Sequence, residues 1–359
     1  MMGAFIFIMI INRNLLVKIR NKWYSRKDTF LQAMEKEALY NGATGQSSAE
    51  RLIQQAYSCL KELDTVSALR LLQDALKIDF AHPEVKYGLK CVNWWLEKIK
   101  ELDNFHGAYE KGVHLMSQWK LFHAFLDQIG LAGSSFVSCQ YAFRCFAFKQ
   151  ALGFFLDVLA VSGNEPDPEV LLQTGRCYKG IGNYEEAAKY LELACHFRPE
   201  DSATLAELAD LNALLGDSRM AKVRFREAFY LDPQAIDLSL MESEMITGLR
   251  QKVADLGYSG KELAEWIPVY GKLWDYFSVI KELKPVALGK LKQSILALES
   301  EKKTGEDYIK PRLINRYFRL IDYYGSIRSG NAKDNSDVVE ETMRRIKITD
   351  PAIYEQYRN

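Results

Sequence analysis

The chain has 359 residues, with 47 basic and 47 acidic side chains, 48% hydrophobic residues and 26% charged ones. This is an ordinary folded-protein composition, and zero net charge excludes a general field that would draw in nucleic acid. The length suits two or three compact domains or one elongated repeat array.

Six cysteines and five histidines are scattered without a C-x-x-C pair or a partner cluster. That argues against zinc sites and a disulfide framework, and for buried free thiols in a reducing, cytoplasmic compartment. Residues 1–30 form a basic amphipathic segment: an apolar run, Ala4 to Ile11, precedes Arg13, Lys18, Arg20, Lys22, Arg26 and Lys27. No basic residue precedes the run and no A-x-A-like cleavage site follows it, so a secretory signal is not expected. Stretching it to spanning length would bury Arg13, at about 2.5–3.5 kcal/mol near a helix centre. A docked amphipathic helix is expected; the alternative is an anchor through residues 1–27, peripheral to the cytoplasmic membrane.

Residues 31–235 read as a helical array. In "AERLIQQAYSCLKELDTVSALRLLQDALKID", Leu52 and Ala56, then Ala68, Leu72 and Ala75, keep helical spacing and predict a helix pair over 49–82. Residues 83–130 predict longer helices whose Trp94, Trp95, Phe105, Trp119, Phe122 and Phe125 suit a core. The stretch "SSFVSCQYAFRCFAFKQALGFFLDVLAV" allows another pair, with Ala151, Phe155 and Val158 in its second half and a poor fit in its first.

Two tandem units follow, at 168–201 and 202–235. Leu171, Gly175, Gly182, Ala187, Leu191, Ala194 and Pro199 recur 34 residues later as Leu205, Ala209, Gly216, Ala221, Phe225, Ala228 and Pro233. Within the first unit, Leu171, Gly175 and Tyr178 share one helix face, and Ala187, Leu191 and Ala194 share another. Asp167 before Pro168 is an N-cap with proline at the first helical position, Asn183 with Glu186 is a capping pair, and Gly182 and Gly216 make the turns. At these residues the chain resembles the tetratricopeptide repeat family, whose 34-residue pattern is W-x2-L-G-x2-Y, A-x3-F and P. Leucine replaces the tryptophan in both units, and Asn212 replaces the tyrosine in the second. A pair of such units is too short to bury its faces, so the helix pair at 49–82 is expected to belong to the same array.

The resemblance implies an all-α solenoid of helix-turn-helix repeats, with an inner groove lined by the first helix of each repeat and holding a peptide. About 100° around from the Leu171 row lie Glu169, Leu172, Arg176 and Lys179, and the matching row is Ala203, Ala206, Asp210 and Ala213. The three alanines are expected to leave room for a bulky group; Arg176 and Asp210 either meet the partner or pair with each other. A carboxylate-clamping subclass carries lysine where this chain has Leu172 and Ala206, so that ligand is not expected.

After Pro233 the register is lost. A helical C-terminal extension is expected over 236–328, with Pro285 and Pro311 each opening an apolar pattern and Ser259 with Glu262 forming a capping box. Residues 329–359 are expected to hold a polar linker, Ser329 to Ser336, and a last helix near Val338 to Ile346. "DLGYSGKE", Asp255 to Glu262, lacks the leading glycine and the hydroxyl of a phosphate loop, and "GLAGSS", Gly130 to Ser135, is a turn. His106, His114 and His123 share no metal-binding face. Arg312, Arg316 and Arg319, one residue ahead of Leu313, Tyr317 and Leu320, read as the solvated side of an amphipathic helix. The expected function is therefore a non-enzymatic protein-interaction scaffold for a partner protein or peptide, with no cofactor, metal or nucleic acid. The alternative is a membrane-associated assembly or adaptor factor tethered by residues 1–27.

Overall fold

The computed structural model describes residues 47–130, 136–163, 165–278, 283–301, 308–326 and 332–358. The amphipathic segment at 1–30 and most of Gly130–Ser135 lie outside the described residues. All regular structure among the described residues is helical. By contacts the chain divides into two compact units, residues 1–184 and 185–359.

The first unit contains α1 (Ser48–Lys61), α2 (Thr65–Ile78), α3 (Pro83–Lys100), α4 (Ala108–Gln128), α5 (Val137–Val161) and α6 (Pro168–Gly180). Helix α1 opens on a true capping box: Glu50 N donates to Ser47 Oγ at 3.2 Å, and Ser47 N to Glu50 Oε2 at 2.9 Å. Asp64 caps α2 through Ser67 N at 2.9 Å, and Asp167 caps α6 through Glu169 N at 2.8 Å, with Pro168 at its first position. The segment expected to allow a helix pair is instead one unbroken helix, α5. It runs through Gly153 without a break and contains no proline, and it pairs with α4 while also packing on α1 and α6. Apolar around most of its circumference, α5 is the central element of this unit. Trp95, Phe122, Phe143 and Phe146 meet there at ring separations of 5.4–5.9 Å; of the aromatics expected in the core, Trp95, Trp119 and Phe122 are buried, while Trp94, Phe105 and Phe125 are partly exposed.

The second unit begins within α7 (Tyr184–Phe197) and continues with α8 (Ser202–Leu214), α9 (Ser218–Leu231), α10 (Glu244–Asp255), α11 (Gly260–Leu273), α12 (Pro285–Glu301), α13 (Ile309–Ser326), α14 (Ala332–Thr349) and α15 (Pro351–Arg358). Asp201 and Asp217 cap α8 and α9 through Thr204 N and Met220 N at 2.7 and 3.1 Å. One apolar core runs from Ala206 and Phe225 through Phe277, Ile314 and Phe318 to Ile353, so packing continues across Ala235 without a break.

Three expectations for this region are corrected. Ser259 stands at the N-cap of α11, but its side chain makes no capping bond. The helix near Val338 already begins at Ala332, so much of the expected linker is helical, while Ser329 to Asn331 lie outside the described residues. A further helix, α15, follows it, because Asp350 accepts from Ile353 N at 3.0 Å ahead of Pro351.

The repeat is most visible in its turns. In the pair α8–α9, Gly216 takes φ +83°, its N–H donates to Ala213 O at 3.0 Å, and Asp217 N donates to Asn212 O at 2.8 Å. After α6, Gly182 takes φ +82°, its N–H donates to Lys179 O at 2.9 Å, and Asn183 N to Tyr178 O at 2.9 Å. Between α1 and α2 the same pattern is built without glycine: Leu63 takes φ +65°, its N–H donates to Leu60 O at 3.0 Å, and Asp64 N to Cys59 O at 2.9 Å. Each is a helix ending closed by a left-handed residue, with the following N–H reaching back along the last turn. The small and medium residues expected at the helix crossings, Ala68, Leu72 and Ala75, Ala187, Leu191 and Ala194, and Ala221, Phe225 and Ala228, have no exposed surface.

Candidate protein-binding surface

The expected first-helix rows are on helices, but they are not uniformly open. In the first unit Leu172, Arg176 and Lys179 are buried, and Glu169 at the start of α6 is partly exposed, accepting from Gln173 Nε2 at 2.7 Å. Tyr109 of α4 lies in the field of Glu169 and Asp167. Burial first, and then those two carboxylates, push its phenol above the ordinary value. With Val113 one turn on, Tyr109 presents exposed apolar surface from the same helix.

In the second unit Ala203 and Ala213 are partly exposed, whereas Ala206 has no exposed surface and belongs to the apolar core. The space expected at Ala206 is therefore filled. Asp210 is also fully buried, and its carboxylate accepts from Ser243 N at 2.8 Å and from Glu242 N at 3.0 and 3.1 Å. Those donors lead into α10, whose N-cap Ser243 makes no side-chain cap of its own, so Asp210 caps α10 from α8.

The basic stripe of α13 also departs from expectation. Arg312, Arg316 and Arg319 do not form a solvated face. Glu265, with no exposed surface, accepts Arg312 Nε at 2.9 Å on both oxygens and Gln234 Nε2 at 2.8 Å. Arg319 Nη2 donates to Glu227 Oε2 at 2.9 Å while its guanidinium lies 3.9 Å from the centre of the Tyr230 ring. Arg316 covers the same ring at 4.7 Å and donates to Tyr230 O at 3.2 Å. Asp322, on the same helix, is held by Arg226 and by Lys272 at 2.8 Å. The sequence shows the spacing of these charges but not that carboxylates from α9 and α11 face them.

The turn geometry and the buried small residues are those of helix-turn-helix repeats. Residues 168–201 match the family model for the tetratricopeptide repeat. Those residues carry a tetratricopeptide repeat. No curated protein matches the chain. Tetratricopeptide repeats are protein–protein interaction modules, and in both units helix pairs pack on their neighbours, as in a tetratricopeptide-like α-solenoid.

Other chemistry singled out in the sequence has structural partners here. Asp255–Glu262 runs from the last residue of α10 through a turn at 256–259, with Gly257 at φ +98°, into the first turn of α11. His114 packs on Phe105 and His123 on Trp119, at 4.7 and 4.8 Å between ring centres. Cys91, Cys139, Cys145 and Cys177 are buried, while Cys59 and Cys195 are partly exposed. Among the described residues no three metal-ligating side chains gather, and no helix is long and apolar enough to cross a membrane.

Proposed function

We propose that the protein is a non-enzymatic scaffold that binds a partner protein or peptide along the first helices of its repeats, in the cytoplasm. The observation that carries this reading is the tetratricopeptide match at 168–201, supported by the same turn after α1, α6 and α8. Among the first-helix positions, Glu169 in one unit and Ala203 and Ala213 in the other keep accessible surface and are the contacts assigned to a partner. Arg176, Lys179, Leu172, Ala206 and Asp210 shape those helices from within.

Pull-downs on full-length protein test this reading, comparing wild type with Glu169→Lys and Ala213→Arg. Both positions are partly exposed, so the variants should melt with wild type while losing the same partner. Recovery of an unchanged set of partners by both variants moves the binding surface elsewhere.

A further inference from the structure

Helices α12, α13 and α14 surround a cleft of about 450 Å³. Short connections make each an antiparallel neighbour of the next. The register is fixed by Tyr317 Oη donating to Glu299 Oε1 at 2.6 Å and by Lys292 Nζ lying 5.4 Å from the centre of the Tyr324 ring. Arg345 Nη1 reaches the same Glu299 oxygen at 2.8 Å. Helices α12 and α14 therefore run in the same direction on either side of α13, tied near their C-terminal ends and parted ahead of that tie by the cleft.

Its apolar surface comes from all three helices, through Leu296, Leu320 and Val338. Leu296 is 64% exposed and, with Leu320 and Val338, forms the accessible apolar lining of the cleft. The two walls differ in charge. Lys292 stands on the α12 wall, while Asp337 and Glu341 stand on the α14 wall. Arg345, the other cation of the lining, is already taken by Glu299 and by Glu341 at 3.2 Å.

Resting on the scaffold reading above, we propose that this cleft takes one amphipathic helix of a partner protein. The helix lies along α13 with its apolar stripe on Leu296, Leu320 and Val338, an acidic flank towards Lys292 and a basic flank towards Asp337. A helix suits the site because the walls are helical ridges that accept another helix's ridges, and because a helix satisfies its own backbone hydrogen bonds. The opposite charges of the walls make a doubly acidic or doubly basic helix a poor occupant.

Fluorescence anisotropy on full-length protein tests the proposal, using a blocked synthetic peptide of about 15 residues, long enough to hold helical structure. The peptide carries leucines at i, i+4, i+7 and i+11, glutamates on one flank and lysines on the other. Wild type binds it and ignores the version with serines for leucines. Leu296→Asp weakens binding by about tenfold or more, as expected of a central apolar anchor, and Asp337→Lys weakens it less and reduces its salt dependence. Both positions are exposed, so circular dichroism should show the wild-type fold. Failure of wild type to bind, or unchanged binding by Leu296→Asp, overturns the proposal. So does a concentration-dependent dimer abolished by Leu296→Asp, which would make the occupant a second copy of this chain. If the cleft fails while Ala213→Arg still loses a cellular partner, the scaffold reading stands without it.

Discussion

Inside the first unit, Trp95, Phe122, Phe143 and Phe146 hold helices together through ring contacts. Inside the second, Glu265 and Asp322 are buried against Arg312, Gln234, Arg226 and Lys272. Both units contain the same kind of helix turn, yet one joins its later helices by apolar area and the other adds paired charge. Apolar packing responds mainly to volume and is tolerant of which hydrophobic residue supplies it. A buried ion pair responds to loss of either partner, because the survivor is left desolvated.

That contrast is open to direct attack. The largest effect is expected at Phe122, fully buried among the rings: Phe122→Ala should cost about 3–5 kcal/mol and Phe122→Leu much less, read by urea unfolding. Equal losses from both would mean ring chemistry, not volume, holds the first unit. Glu265→Ala comes next, at about 3 kcal/mol, and adding Arg312→Ala should recover part of that loss. A double variant as unstable as the sum of its singles would show that the pair is not coupled.

A smaller change of opposite sign is expected in the α1–α2 turn. Leu63→Gly relieves a left-handed leucine and should raise stability by roughly 0.5–1 kcal/mol, less whatever glycine adds to the entropy of the unfolded chain. The smallest effect concerns Asp64, whose carboxyl is held below its ordinary value by hydrogen bonds from Ser67, side chain first and then backbone. A lowered folded pKa means that its contribution is present above the unfolded value, near about 3.9, and disappears as pH falls through the folded one. Asp64→Ala should therefore lower the melting temperature slightly at pH 7 and leave it unchanged near pH 2; a difference that persists in acid would assign the effect to something other than the carboxylate.

The sequence carried the second helices of the repeats plainly, because alanine at 187, 194, 221 and 228 is what a close crossing requires and its spacing survives substitution elsewhere. It carried the α1–α2 turn less well. Leu63 occupies a position where glycine is the usual sign, and only the backbone shows that it adopts glycine's conformation. The α13 arginines were misread because period alone cannot say which face is wet when both faces are covered: Leu313 and Tyr317 are buried, and so is Arg319. The rows assigned to a partner suffered the same ambiguity, with Ala206 in the core and Asp210 turned to the start of α10. The break before α15 was visible in Asp350–Pro351, a cap followed by a proline, although the last helix was expected near Val338 to Ile346 and none after it.

The central claim, that a partner protein meets the first helices of the repeats, is tested most directly by site-specific photocrosslinking in cells. A benzophenone side chain would be placed in turn at Glu169, Ala203 and Ala213, and at the exposed second-helix positions Leu193 and Met220. The account predicts discrete protein adducts from the first-helix positions and none of the same mass from Leu193 or Met220. Adducts of one mass from the second-helix positions alone, or from all five equally, would contradict it.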